Sequence, residues 1–147
     1  MNAVALTVLL QLSTVGAGAD TYEDAHARSM ENGQPLVVLV GADWCGACQR
    51  MKSTVIPELK KNGALKQVAF ATVNSDAQSK LANQLITGNS IPQLVMYRKT
   101  STGWMRSTLS GARSSSEVSA FLSRTKQVNY TAPEVQNVAR PIATYSP

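Results

Sequence analysis

The sequence predicts an α/β fold: a mixed central sheet of about four strands with helices on both faces. Three observations lead there. The run "PLVVLV" at 35–40 is apolar throughout and rich in β-branched residues, as in a strand covered on both faces. Stretches with helical start and stop signals alternate with further short apolar runs. The last two runs, "QLVMYR" and "WMRSTL", are separated only by a polar turn, which implies a hairpin, whereas helix-separated strands imply parallel pairing.

The elements follow in order. "TYEDAHARSMENG" opens on Thr21, carries acids in its first turn and closes at Asn32-Gly33, so a helix is expected there. "PLVVLVGA" is the first strand. Gly46 to Val55 has helical periodicity; Pro57 is expected to break it and to open another helical turn that ends at Asn62-Gly63. "QVAFATV" is the second strand and "DAQSKLANQLI" the next helix, with Asp76 as its expected cap. "QLVMYR", a turn over Lys99 to Gly103, and "WMRSTL" complete the sheet. Gly111 then interrupts, and Ser114 with Glu117 has capping-box spacing for a last helix through Phe121 and Leu122.

The two ends of the chain read differently. An apolar stretch from Ala3 to Leu12 is followed by small residues ending in Ala17-Gly18-Ala19, the form of a signal-peptidase site. It is shorter than the ~20 apolar residues that span a bilayer. Residues 1–19 are therefore expected to be a cleaved signal peptide, although no Lys or Arg precedes the apolar run; the competing reading is a buried first strand or helix. Export would put the chain in a periplasmic or extracellular setting, where disulfides persist. Residues 20–125 form the expected domain. Residues 126–147 contain three prolines and no sustained period, and are expected to be a loose C-terminal extension. Asn129-Tyr130-Thr131 within it matches a glycosylation acceptor.

Composition narrows the function classes. With 147 residues, 44% of them hydrophobic, the chain suits one core. The formal net charge of +5 comes from 14 basic and 9 acidic residues that are scattered along the sequence. That excludes a clustered nucleic-acid footprint and leaves a loose attraction to acidic partners.

The chemistry lies in "ADWCGAC", residues 42–48, which holds both cysteines of the chain. Cys45 falls where a buried strand ends and a helix begins, and Cys48 lies one helical turn on. That spacing suits a disulfide. The ring it closes is too small for much entropic stabilisation, so a purely structural staple is the weaker reading. A tetrahedral metal site needs four ligands, whereas the chain has two Cys and the single His26. A two-thiolate copper(I) site near Met51 remains as an alternative. Position favours reactivity, because a helix N-terminus stabilises the thiolate. Cysteines in such motifs have pKa values of roughly 3.5–7, against about 8.5 for a free thiol. Cys45 is then the nucleophile and Cys48 the thiol that resolves the mixed disulfide.

"ADWCGAC", with "SIPQLVMY" about 45 residues later and then "LSGARSSSEVSAFL", resembles the thioredoxin superfamily. The likeness spans about Tyr22 to Arg124 and is strongest to exported members, including the periplasmic C-terminal domain of the transmembrane thiol–disulfide interchange protein. The resemblance implies a thioredoxin fold, Cys45 as attacking and Cys48 as resolving cysteine, and a substrate-binding role for Trp44, Ile91 and Pro92. Pro92 matches the family's cis-proline, Ile91 the residue whose backbone pairs with an extended substrate, and Gly111 a glycine near the same surface. It implies no cofactor beyond the redox-active disulfide. Its partners would be proteins bearing cysteines, together with an external electron donor such as a membrane thiol–disulfide transporter. A monomer that binds no nucleic acid is expected.

Three positions depart from the family pattern, one of them Ala47, which replaces the proline common in thioredoxin itself. Many thioredoxins carry a buried acid six residues before the first cysteine, where this chain has Leu39. Lys52 stands where the interchange-protein domain has an acid; it either favours thiolate forms or points into solvent. The leading expectation is an exported thiol–disulfide oxidoreductase, of reductase type, acting on protein cysteines. A partner-binding module without redox turnover and a copper(I)-handling protein are the alternatives.

Overall fold

In the computed structural model the structure describes residues 21–124; the expected signal peptide, the C-terminal extension and the Asn129 acceptor lie outside the described residues. The elements are α1 (Tyr22–Asn32), β1 (Leu36–Gly41), α2 (Gly46–Arg50), a π turn (Met51–Val55), α3 (Ile56–Lys61), β2 (Ala69–Asn74), α4 (Ser79–Leu85), β3 (Gln93–Thr100), β4 (Gly103–Ser110) and α5 (Ser115–Ser123). They form an α/β fold around one four-stranded sheet of order β2-β1-β3-β4.

β1 is buried at every residue, and strand parity divides its side chains between two helical layers. Leu36, Val38 and Val40, with Ala69, Ala71 and Val73 of β2, pack against Ala25 of α1 and Ala82 and Leu85 of α4. Val37 and Leu39, with Phe70, Leu94 and Met96, pack against Met51, Ile56 and Leu59 and against Val118, Phe121 and Leu122 of α5.

One pairing differs from the sequence expectation. β1 and β2 are parallel, but β3 does not extend that series; it lies on the other side of β1 and runs antiparallel to it. The register shows why. Asn74 at the end of β2 is opposite Gly41, and Gln93 at the start of β3 is opposite Val40. The chain therefore leaves and re-enters the sheet at the same end, and an intervening helix does not by itself decide which end that is. β3 and β4 form the expected antiparallel hairpin, with a tighter turn than read from the sequence, since Thr100 already pairs with Gly103.

Pro57 also behaves differently. It does not break the helix; α2, the π turn and α3 run on without interruption. The Ile56 N–H reaches back to Met51 O, one residue further than in an α-helix. The widened turn gives the proline ring room, and Pro57 has no N–H to leave unsatisfied. At α4 the expected cap fails, because the helix starts only at Ser79 and Gln78 makes no side-chain cap. Asp76 is used elsewhere.

The outer helices carry the caps that the sequence implies. Thr21 accepts from Asp24 N, and Gly33 closes α1 at φ 67°. Ser114 and Glu117 form a complete capping box on α5. Hydrogen bonds from the Ser114 backbone and hydroxyl, then from Arg113, hold the Glu117 carboxyl below its ordinary pKa.

Replacing Ser114 by Ala is expected to cost about 1 kcal/mol in denaturant unfolding. A depressed carboxyl pKa gives stability that is complete above the unfolded-state pKa and is lost as pH falls through the folded one. Glu117→Gln should therefore flatten the acid limb of the stability profile while changing less at acid pH than at neutral pH.

Candidate functional site

β1 delivers the chain to the site and α2 receives it. After Gly41, the segment Ala42-Asp43-Trp44 turns, and Cys45 caps α2 with extended backbone at φ −84°, ψ 104°. Its sulfur accepts the Cys48 backbone N–H at 3.2 Å, and its carbonyl accepts Gln49 N at 3.0 Å. Cys45 and Cys48 are joined as a disulfide with a Cα–Cα separation of 5.2 Å. Cys45 is 8% exposed and Cys48 fully buried, so an incoming group can reach only the first sulfur. The helical turn that joins them aims the Cys48 backbone N–H at that sulfur, and it would equally stabilise a thiolate there.

Ala42 and both cysteines form a small apolar cluster against which Ala47 and Ile91 pack. The Ile91–Pro92 peptide is cis, and Pro92 O accepts Gly111 N at 2.8 Å. The structure thus brings Cys45, Cys48, Ile91, Pro92 and Gly111 to one end of the sheet. Trp44 stands on the rim. It is 74% exposed, yet its indole Nε1 donates to Asp76 Oδ2 at 2.9 Å, which is the work Asp76 does in place of capping α4.

Lys52 neither points freely into solvent nor stands as an unpaired cation. Its Nζ lies 3.5 Å from Asp43 Oδ1, while Asp43 Oδ2 accepts Asn74 Nδ2 at 3.0 Å. A pair with one partner this exposed contributes at most about 1 kcal/mol; its effect is to cancel charge beside the disulfide. Leu39 is fully buried in the apolar layer under α2, so the position of the family's buried acid carries no proton acceptor. His26 lies away from the site on α1, stacked on Tyr22 at 5.9 Å. Met51 is buried in the core, where its sulfur accepts Arg113 N at 3.4 Å.

Sequence reasoning missed three residues. A Cβ on Gly41 would lie 2.8 Å from Cys48 Cβ and 2.9 Å from its sulfur, so this glycine permits β1 and the disulfide to touch. Its signal was a lone glycine ending a β-branched run. Asn74 accepts Asp76 N and Ala77 N on Oδ1 while donating to Asp43, tying the loop after β2 to the loop before Cys45. Gln93, the one polar side chain opening an apolar strand, is fully buried.

Residues 18–99 match the model of a family described as thioredoxin-like. A probable thioredoxin-2 of Caenorhabditis elegans is 33% identical over 63 residues, 43% of this chain and 42% of the nematode protein, so the match spans less than half of that relative. Among solved structures, the thioredoxin of Trichomonas vaginalis superposes with a TM-score of 0.56 at 27% identity, covering 73% of this chain and 93% of the other. That of Thermus thermophilus superposes at 0.61 with 22% identity, covering 74% and 86%, a likeness of fold alone.

Gly41→Ala is expected to lower the unfolding free energy of the oxidised protein by roughly 1–3 kcal/mol, the usual cost of overpacking a close-packed site. Denaturant titration of parent and variant checks it; an unchanged midpoint would mean that α2 can slide away from β1 freely.

Proposed function

The chain belongs to the thioredoxin-like family, and from that premise we propose that it is an exported thiol–disulfide oxidoreductase that reduces disulfides in other proteins. The observation that carries this reading is the Cys45–Cys48 disulfide with one reachable and one buried sulfur, set beside an exposed Trp44 and the cis Ile91–Pro92 peptide.

In the reduced form the Cys45 thiolate attacks one sulfur of a substrate disulfide. A Cys45–substrate disulfide forms and the other substrate sulfur leaves as thiolate. Cys48 then loses its proton and attacks Cys45 Sγ, which re-forms the Cys45–Cys48 disulfide and releases the second substrate thiolate. Two electrons pass from the pair to the substrate. With Leu39 where relatives hold an acid, the departing substrate thiolate or water takes the Cys48 proton. Beyond Cys45 and Cys48 this sequence holds no cysteine, and in this reading a second protein or a small thiol returns the two electrons. A membrane thiol–disulfide transporter would suit a monomer that works in an oxidising compartment.

Trp44, Ile91 and Pro92 form the docking surface in this reading, with an extended substrate segment pairing to the Ile91 backbone by strand addition. Export rests on the apolar run from Ala3 to Leu12 and on Ala17-Gly18-Ala19 before Asp20. If it is right, the intact mass of protein recovered from the producing cell's exported fraction is that of residues 20–147; recovery of the full-length chain from the cytosol would overturn it.

The redox equilibrium tests the chemistry. Titrated against glutathione couples, with the free thiols trapped by a mass-shifting alkylating reagent, the pair is expected to show a midpoint toward the reducing end of the family range, about −270 mV. A midpoint toward about −120 mV would instead make it a disulfide donor. Cys45→Ser should abolish reduction of protein disulfides, whereas Cys48→Ser should accumulate the mixed disulfide. A pair that never closes reversibly would sink the enzymatic reading.

A further inference from the structure

Gln93 presents an anomaly. Among the described residues only Ser29 and Gln93 are polar and buried, and Gln93 is 0% exposed. Sealing an amide away from water is unfavourable unless its hydrogen bonds are made. They are made, and all are local. Oε1 accepts Thr87 N at 3.0 Å, and Nε2 donates to Thr87 O and Ser90 O, each at 2.8 Å. The side chain thus substitutes for a strand partner to the segment that runs from α4 to Pro92.

A second tie comes from the edge strand. Arg106 of β4 donates through Nη2 to Leu85 O and through Nη1 to Thr87 Oγ1 at 2.8 Å. Leu85 is the last residue of α4, where a cation also meets the negative end of the helix dipole. A third is the Gly111 N–H on Pro92 O. The segment is therefore pinned at Leu85, Thr87, Ser90 and Pro92. Ile91, which packs on the disulfide cluster, is left with a backbone N–H and C=O that have no hydrogen-bond partner among the described residues. The pins hold everything around that open pair and nothing on it.

We propose that Gln93 and Arg106 are positioning residues that hold the 85–92 segment so that the Ile91 backbone stands open beside Cys45. They thereby set the affinity for extended polypeptide around a substrate disulfide without touching the sulfur chemistry. The inference rests on the oxidoreductase reading above. A disulfide too small to reach Ile91 gains nothing from the pins, whereas a polypeptide pairs with a strand whose conformational cost has already been met.

The test compares the full chain with Gln93→Leu, which removes three hydrogen bonds at similar volume, and with Arg106→Gln, a change on a half-buried edge strand. Dithiothreitol supplies electrons for turnover on the interchain disulfides of insulin; the small disulfide dithiobis-nitrobenzoate, which dithiothreitol would reduce directly, is instead mixed with pre-reduced protein freed of dithiothreitol and followed over a single turnover. Both variants are expected to raise KM for insulin roughly ten-fold, the scale of losing one buried polar contact, with kcat changed less than two-fold. The rate on the small disulfide and the Cys45–Cys48 midpoint potential should match the parent. If the small-disulfide rate or the potential shifts as much as KM, the residues act on the disulfide itself and the proposal fails. If KM for insulin stays within two-fold in folded Gln93→Leu, it fails as well; should that variant not fold, Arg106→Gln alone decides by the same criterion. A parent chain that reduces neither substrate defeats the oxidoreductase reading, whereas an active parent with unaltered variants defeats only the positioning role.

Discussion

The molecule depends on the complete burial of β1. Its side chains from Leu36 to Val40 are at most 4% exposed, and a fully buried Val or Leu is worth about 1.5–3 kcal/mol over an exposed one. Uncovering either face would remove a large part of a net stability that for domains of this size is about 5–15 kcal/mol. Both faces must therefore carry helices, and both edges must carry strands. The parallel β2 and antiparallel β3 supply the edges, and α1 with α4 and the α2–α3 run with α5 supply the faces. A strand so enclosed can emerge only at its end. There Gly41 lets the chain press against Cys48 before the helix begins.

That geometry also decides the electrostatics of the site. The charged groups nearby have partners other than the sulfurs: Lys52 pairs with Asp43, and the Asp76 carboxylate accepts from the neutral Trp44 indole. The layer beneath the cysteines is apolar, with Leu39 buried in it. What remains to favour a thiolate on Cys45 is the backbone at the start of the helical run, of which the Cys48 N–H already points at the sulfur. Asn74 joins the two loops involved, so the rim that carries Asp43 and the rim that carries Asp76 are held as one unit. The π turn belongs to the same arrangement. It carries the helical run past Pro57 and sets Met51 to accept the Arg113 N–H, linking that run to the segment entering α5.

Much of this was legible in the chain. Burial of β1 on both faces follows from an unbroken β-branched run. The caps of α1 and α5 follow from Thr21, Gly33, Ser114 and Glu117, because a cap is a local hydrogen bond between residues three apart. The helix-start position of Cys45 and its one-turn spacing from Cys48 are local in the same sense. The sequence by itself determined these because each depends on neighbours within one turn or one strand.

Only the tertiary structure decided the rest, since each remaining feature depends on where the chain folds back on itself. The end of the sheet at which β3 enters is set by how the chain returns past α4, which reversed the expected parallel pairing. Asp76 was free to cap α4 but meets an indole 32 residues away in sequence. Lys52 has a partner nine positions earlier that comes close only because the chain turns at Ala42-Asp43-Trp44. Gln93 has a role only through the loop folded over it, whose Thr87 and Ser90 carbonyls accept from its amide. A hydrogen bond or ion pair between distant residues has no periodicity for a sequence to display; it exists only once packing has brought the two groups within reach.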